Sequence, residues 1–321
     1  MESAAADLDQ LSACAVLVAG DSMLDRYWFG RVDRISPEAP VPVVIVQHHD
    51  ERLGGAGNVA ANITSLGGRC TLLSVVGDDE AGRRLAGLAA GAGIDPQLVT
   101  DPGGQTTVKL RAIARNQQLL RADFEAPPGA PALDAAMTRF AEQLPRHQAV
   151  VLSDYGKGGL AHSARLIEMA AAHHIPVLVD PKGADFTRYR GAAMVTPNLA
   201  EFERVAGAVA DDEDLRARAE ALMREHDLKR LLVTLSDRGM ALFSPGREAI
   251  RRPARAREVY DVSGAGDTVI AVMAMAVAAG LDDHAALALA NGAAGVVVSK
   301  VGTAAAGRDE LKAALERDQR P

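Results

Sequence analysis

The segment "QAVVLSDYGKGGLAHSARLIEMAAAHHIPVLVD" (148–180) carries the pattern that decides the fold. Two short, mainly apolar runs at 148–154 and 175–180 flank an Ala-rich amphipathic stretch at 161–173. Continuous apolar runs are typical of strands buried on both faces of a parallel sheet, and parallel strands need a long crossover between them. The segment therefore predicts a strand, a crossover helix and a second, parallel strand.

The same alternation continues over most of the chain. Further buried strands are predicted at 14–20, 71–77, 192–197 and 231–236. Helices are predicted at 57–66, 80–91, 133–143, 198–206 and 212–226. Repeated units of this kind predict an α/β fold, with a doubly wound, mostly parallel central sheet and helices on both faces. We expect residues 1–321 to form a single domain.

Two regions depart from this pattern. Residues 41–55 and 106–125 alternate polar and apolar side chains without a helix, and the second region contains a candidate hairpin turn at 115–117. Strands with one polar face predict a small antiparallel sheet outside the main core. We expect this sheet to form a flap, or lid, with strands from about 27–53 and 105–125.

Composition and charge exclude several classes of protein. The 321 residues carry a net charge of −7, so a general attraction to nucleic acid or to an anionic membrane is not expected. Cys14 and Cys70 lie in apolar runs and are predicted to be buried thiols. The N-terminus lacks the features of a secretion signal, and the apolar run 269–281 is too short to span a bilayer. We therefore expect a cytoplasmic protein.

Polar residues follow several of the predicted strands: Asp21, Asp154, Asp180, Lys182, Asn198 and Thr234. Ligands of open α/β sheets bind beyond the carboxyl ends of the strands, so these residues predict a crevice lined by polar groups.

The stretch "GGAGNVAAN" (54–62) is the first candidate binding motif. Gly54 and Gly55 would let the backbone approach a ligand, and Asn58 can bridge two hydroxyl groups. A loop that joins the lid to the core is an equally good interpretation. The stretch lacks the G-x-G-x-x-G spacing of a dinucleotide-binding oxidoreductase, and the chain contains no P-loop.

The stretch "DVSGAGDTVI" (261–270) is the second. At a helix start, the N–H groups of Gly264, Ala265 and Gly266 can converge on an anion, and Asp267 can accept a proton from an attacking hydroxyl. Asp267 can equally be a first-turn acid that stabilises the helix. The stretch alone does not decide between these interpretations.

Together and in this order, the two stretches resemble the signatures of the ribokinase-like (PfkB) sugar kinases. "TPNLAEF" (196–202) resembles the family's N-x-x-E motif and "TLSDRGM" (234–240) its nucleotide-phosphate loop, and the resemblance spans roughly residues 14–305. It implies that Asp267 is the general base and that the N–H groups of Gly264, Ala265 and Gly266 form the anion hole.

The resemblance also implies the cofactors ATP and Mg²⁺, with a monovalent cation as an optional third near 259–263 and 296–303. Mg²⁺ would be held by Asn198 and Glu201 through water. The implied ATP contacts are Lys182, Asn198, Thr234, Ser236, Gly239 and Asn291.

Within this family, "GDSMLDRYWFGRVDRISPEAPVPVV" (20–44), "RNQQLLRADFE" (115–125) and "SDYGKG" (153–158) resemble the bacterial heptose 7-phosphate kinases. This implies transfer of the γ-phosphoryl group of ATP to the anomeric hydroxyl of D-glycero-β-D-manno-heptose 7-phosphate, for lipopolysaccharide-core biosynthesis. We expect a kinase without the fused nucleotidyltransferase domain of many relatives. The alternatives are a kinase of the same family for another sugar, sugar phosphate or nucleoside, and a nucleotide- or sugar-binding regulator without turnover.

The candidate substrate-binding residues are Asp21, Gly54, Gly55, Asn58, Lys109, Arg111, Arg121 and Lys157. Lys109 and Arg111 have the same strand parity and should point to one face of the lid. These cations suit a substrate phosphate, although solvated charges on an exposed lid are an equal alternative. Relatives often pair through this lid, so we expect a homodimer.

Overall fold

The protein is described by a computed structural model that covers residues 2–115, 117–254 and 260–318. Within these residues the strands are β1 (Ala15–Gly20), β2 (Ser22–Ile35), β3 (Pro42–Gly55), β4 (Arg69–Gly77), β5 (Asp95–Asp101), β6 (Val108–Ala114), β7 (Gln117–Phe124), β8 (Ala149–Ser153), β9 (Val177–Asp180), β10 (Met194–Val195), β11 (Leu231–Thr234), β12 (Met240–Phe243) and β13 (Ile250–Arg252). The α-helices are α1 (Glu2–Leu11), α2 (Ala56–Ser65), α3 (Glu80–Gly91), α4 (Ala130–Gln143), α5 (Ser163–Ala172), α6 (Leu199–Ala206), α7 (Asp212–His226), α8 (Ala265–Ala279), α9 (Asp283–Val297) and α10 (Arg308–Asp318).

The central sheet has nine strands in the order β13-β12-β11-β10-β9-β8-β1-β4-β5. The seven strands from β11 to β5 pair in parallel, whereas β12 and β13 are added antiparallel at one edge. The predicted doubly wound, mostly parallel sheet is confirmed. It forms because the inner strands are mainly apolar and can be covered on both faces.

Two apolar cores cover the two faces of this sheet. On one face, α2, α8 and α9 pack together, with α1 and α10 outside them. On the other face, the apolar sides of α4, α5, α6 and α7 pack against the strands. Helix α8 is apolar almost all round and buried over most of its length, which confirms that the run 269–281 belongs to a core helix.

The lid is a second sheet of four strands in the order β3-β2-β6-β7. The predicted antiparallel arrangement is wrong for its central pair, because β2 and β6 are parallel. Both strands leave the same edge of the central sheet, β2 directly after β1 and β6 shortly after β5, so they run in the same direction. The candidate turn at 115–117 connects β6 to β7, although Asn116 lies outside the described residues.

The strand order changes direction at β1, which lies between β4 and β8. The chain first adds β4 and β5 on one side and then β8 to β11 on the other. Such a point opens a crevice beyond the carboxyl ends of the strands. The lid rises from the same edge, so the crevice lies between lid and core. No helix of the described residues combines the length and the apolar character needed to cross a membrane.

Candidate active site

A cleft of about 520 Å³ lies beyond the carboxyl ends of β8 to β11. It is lined by Asp154, Tyr155, Asp180, Pro181, Lys182, Thr196, Asn198, Glu201, Thr234, Gly264, Gly266 and Asp267. The structure thus brings one end of α8 together with the polar residues that follow four parallel strands.

Asp267 lies in the first turn of α8 and is 2% exposed. Its two carboxylate oxygens accept hydrogen bonds from different parts of the chain: Oδ1 from the Tyr155 hydroxyl at 2.6 Å, and Oδ2 from Nδ2 of Asn58 at 2.7 Å. Burial raises the pKa of Asp267 to about 6, although both hydrogen bonds act to lower it. A carboxylate with this pKa is ionised at neutral pH and basic enough to take a proton.

The start of α8 presents backbone N–H groups to the cleft. Gly264 is the N-cap with φ +80°, and a Cβ added at Gly266 would meet no atom within 4 Å. Of the three N–H groups that we expected to be free, two are free in the structure. The third, that of Ala265, donates to the Val262 carbonyl at 3.2 Å and closes a turn. No described residue accepts from the N–H groups of Gly264 and Gly266, which remain available to an anion.

The glycine stretch 54–62 makes close contacts within the chain. Asn58 is 2% exposed and its amide donates to Asp267, and a bridge from Asn58 to ligand hydroxyls stays a prediction. A Cβ on Gly54 would lie 2.5 Å from the Asp25 carboxylate, and one on Gly55 would collide with the Asp21 carbonyl. Both glycines are needed by close contacts within the chain itself, because the end of β3 pairs here with the start of β2, next to Asp21.

Asp21 follows β1 as predicted, and its carboxylate is buried and already hydrogen-bonded. It accepts from the N–H groups of Tyr155, Lys157 and Gly159 at 2.8–3.0 Å. Burial nevertheless raises the pKa of Asp21. Asp21 therefore holds the loop 155–159 in place, and at most one further lone pair is left for a sugar hydroxyl.

Tyr155 was not among the predicted site residues, although it lines the cleft and contacts Asp267. The available signal was the position of an aromatic hydroxyl two residues beyond the end of β8, next to Asp154. Sequence spacing does not reveal its partner, which lies 112 residues further along the chain.

The opposite wall of the cleft is formed by the start of α6. The Asn198 side chain accepts from the Glu201 N–H at 2.9 Å, and the Glu201 carboxylate accepts from the Asn198 N–H at 3.2 Å, which is a capping box. Lys182 donates to Glu201 at 2.8 Å, and Thr234 lines the same wall. These four predicted nucleotide or metal residues are brought together.

Asp180 adds a further carboxylate at the end of β9, and no described residue donates a hydrogen bond to it. Burial, followed by the charges of Asp267 and Glu201, raises the pKa of Asp180 well above its usual range. The cleft thus concentrates negative charge that a cation would relieve.

The other predicted ATP contacts do not line this cleft. Gly239 has φ +87° and closes a turn against the Arg252 carbonyl, and the N–H of Gly239 donates to the Ser236 carbonyl at 3.0 Å. Asn291 is buried and donates to the Pro253 carbonyl at 2.9 Å. In this structure Gly239 and Asn291 contact other parts of the chain, and contacts of Ser236, Gly239 and Asn291 with ATP stay predictions.

The predicted cations of the lid share one face but differ in their partners. Arg111 donates to Asp25 at 2.7 Å, and Arg121 donates to Asp123 at 2.9 Å. Lys157, which lies in the loop after β8 and not on the lid, pairs with Glu125. Lys109 has no ion pair with a described residue; its ammonium lies 5.4 Å from the centre of the Tyr155 ring.

The chain resembles known proteins over most of its length. The model of the pfkB family carbohydrate kinases matches residues 15–310. The chain is 53% identical over 305 residues to the bifunctional protein HldE of Pseudomonas aeruginosa (strain LESB58), covering 95% of this chain and 64% of that protein. It thus spans less than two thirds of the length of that relative.

A second relative matches over nearly its full length. The chain is 51% identical over 304 residues to the D-beta-D-heptose 7-phosphate kinase of Bordetella bronchiseptica, covering 94% of this chain and 96% of that protein. Among solved structures, Arabidopsis thaliana ribokinase complexed with ribose and ATP superposes with a TM-score of 0.75 at 20% identity, over 95% of this chain and 99% of that one. This likeness confirms the ribokinase-like fold.

Proposed function

The chain belongs to the pfkB family of carbohydrate kinases, and from this premise we propose that it phosphorylates the anomeric hydroxyl of D-glycero-β-D-manno-heptose 7-phosphate with ATP. The product is the 1,7-bisphosphate. One observation carries the proposal: a buried carboxylate, Asp267, lies beside free N–H groups at a helix start and faces a cleft. The name of the Bordetella relative supports the same substrate.

In the proposed step, the C1 oxygen of the sugar attacks the γ-phosphorus while its proton passes to the carboxylate of Asp267. The bond from the γ-phosphorus to the bridging oxygen breaks, and ADP leaves with the electron pair. The N–H groups of Gly264 and Gly266 and the N-terminal dipole of α8 would stabilise the charge on the transferring phosphoryl group. Such catalysis needs positioning and charge stabilisation above all.

We place the ATP phosphates along the wall that carries Lys182, Asn198 and Thr234. The described residues contain no group of three or more His, Cys, Asp or Glu side chains that could hold a metal by itself. The donor set nevertheless fits Mg²⁺ bound mainly by ATP oxygens and water. Asn198 and Glu201 would then contact the metal through its bound water molecules. When bound, the metal would neutralise charge on the phosphates.

For the substrate phosphate, Lys109 is the best candidate on the lid. Its ammonium group has no competing carboxylate partner among the described residues, whereas Arg111, Arg121 and Lys157 would each have to give up an ion pair. Burial lowers the pKa of Lys109; the charge of Asp25 acts to raise it, whereas the charges of Lys157 and Arg111 act to lower it. A phosphate dianion would relieve this repulsion.

We extend the proposal to a homodimer formed through the lid, in the cytoplasm. Trp28 and Leu120 flank Ala112 on the outer face of the lid, and Phe124 lies on the same face of β7. All three side chains of Trp28, Leu120 and Phe124 are exposed, and such a patch favours association with a second copy. A light-scattering mass of one chain at micromolar concentration would contradict the dimer.

The test of function is incubation with ATP, Mg²⁺ and heptose 7-phosphate, followed by ³¹P NMR of the product. We expect a second, anomeric phosphate signal and its absence with Asp267→Asn. Addition of KCl to the same assay tests activation by a monovalent cation. Faster turnover of fructose 6-phosphate or ribose would favour another sugar kinase, and ATP binding without turnover of any sugar would favour a regulator.

A further inference from the structure

Tyr155 lies where three parts of the chain meet. Its hydroxyl donates to Oδ1 of Asp267 at 2.6 Å, and its backbone N–H donates to Asp21 at 3.0 Å. The ammonium group of Lys109 lies over its ring, and the backbone of Gly55 lies nearby, where a Cβ would be 3.4 Å from Cδ2. The ring thus contacts a lid strand and the end of β3, while its hydroxyl contacts Asp267.

We propose that Tyr155 is a positioning residue for the general base: its hydroxyl fixes the plane of the Asp267 carboxylate and favours the ionised carboxylate over the acid. The inference rests on the proposed function, because it assumes that Asp267 takes the proton of the sugar hydroxyl.

The geometry requires a second donor. Rotation of a carboxylate about its terminal bond is soft, so the single hydrogen bond from Asn58 would leave the second oxygen free to turn. The hydroxyl of Tyr155 approaches from the loop after β8, whereas Asn58 approaches from α2. Two donors from separate elements hold both oxygens, and each oxygen keeps a second lone pair for the sugar proton.

The charges around Asp267 show why a donor matters. Burial and the nearby carboxylate of Asp25 favour the protonated acid, whereas Tyr155, Asn58 and Lys109 favour the ionised base. The pKa of Tyr155 is itself raised well above its usual range by burial and by the charge of Asp267. The phenol therefore keeps its proton, and it donates at every pH at which Asp267 is ionised.

The test is the pH dependence of kcat/KM for Tyr155→Phe, which keeps the ring and removes the hydroxyl. We expect the acid limb, the fall of kcat/KM at low pH, to move to a pH about one to two units higher. The loss of one hydrogen bond to a charged group predicts a shift of this size. At pH 8, where Asp267 is ionised in both proteins, we expect a loss of no more than about tenfold from the freer carboxylate.

Tyr189→Phe is the matched control. The Tyr189 hydroxyl is buried and donates to Asp154 at 2.7 Å, one residue before Tyr155, but it does not contact Asp267. Its loss should lower thermal stability and leave the acid limb unchanged. The substrate phosphate also titrates near pH 6, and because both variants use the same substrate, only the difference between their profiles reports on Asp267.

An acid limb of Tyr155→Phe that coincides with wild type, while Asp267→Asn is inactive, would overturn this inference and leave the proposed function intact. An active Asp267→Asn would overturn the proposed function itself. If Tyr155→Phe does not fold, 3-fluorotyrosine at position 155 takes its place, since its more acidic phenol is a stronger donor. The limb should then move down, and an unchanged limb would again contradict the proposal.

Discussion

The two ends of the crevice are built in different ways. At the core end, Asp267 and Asn58 are buried and Tyr155 is half-buried, and each is positioned by a separate helix or strand end. At the lid end, charged side chains project from β6 and β7, and the ion pair between Arg121 and Asp123 is partly exposed. Buried hydrogen bonds with defined partners resist change, whereas partly exposed ion pairs exchange partners at little cost. We infer that the core end determines the reaction and the lid end determines which sugar reacts.

Asp267→Asn should have the largest effect. Loss of a general base typically costs 10² to 10⁴ in rate, and we expect a fall of about 10³-fold in kcat, with the Kd for ATP changed by less than about threefold. Steady-state kinetics and calorimetric titration with ATP measure the two quantities. A variant that keeps more than about a tenth of the rate would show that the core end does not supply the base.

Gly264→Ala should be next. An added Cβ would lie 2.6 Å from Nδ2 of Asn58, at a position with φ +80°. We expect a loss of about 10²-fold in kcat and a destabilisation of about 1–2 kcal/mol, measured by urea unfolding. Gly266→Ala is the matched control, because its Cβ would meet nothing within 4 Å. Gly266→Ala should have the same free energy of unfolding as wild type. It should lower kcat/KM only because the added methyl group projects into the cleft.

Lys109→Met addresses the lid end. We expect the KM for heptose 7-phosphate to rise about 10- to 100-fold, which corresponds to the loss of a hydrogen bond between charged groups, while kcat falls less. Arg121→Gln, on the same lid face but half exposed and paired with Asp123, should change KM by less than about twofold. Equal effects of the two substitutions would mean that the lid acts through its total charge.

At the core end, Asp267→Asn should lower the activity but raise the free energy of unfolding. The pKa of Asp267 in the folded protein, about 6, lies above its unfolded value, so ionisation of Asp267 destabilises the fold progressively between about pH 4 and pH 6. Asp267→Asn should therefore be more stable than wild type at pH 8, by up to about 3 kcal/mol, and less so at pH 5. Urea unfolding at both pH values measures this, and equal stabilities at pH 8 would show that the carboxylate is not destabilising. In wild type, kcat/KM should decrease as the pH is lowered below about 6, because Asp267 becomes protonated.

The sequence predicted the core end of the site better than the lid. Asp267 and Gly264 lie next to each other in one short stretch whose geometry follows from a helix start, and the structure has them there. Ligand contacts of Asn58 and Arg121 stay predictions. The structure adds that the Asn58 amide contacts Asp267, 209 residues away, and that Arg121 pairs with Asp123. Patterns identify polar residues at strand ends, but they do not identify which of them face each other.

The amino-acid sequence alone determined the features that depend on near neighbours: the apolar strands, the crossover helices, and an acidic residue in the first turn of α8. Backbone geometry and burial act locally, so short patterns report them. Only the tertiary structure decided that β2 and β6 are parallel, that Asp21 holds the loop 155–159, and that Tyr155 and Asn58 share one carboxylate. These contacts depend on where distant strand ends meet, and a hydrogen bond forms only at the distance and angle that the complete fold provides.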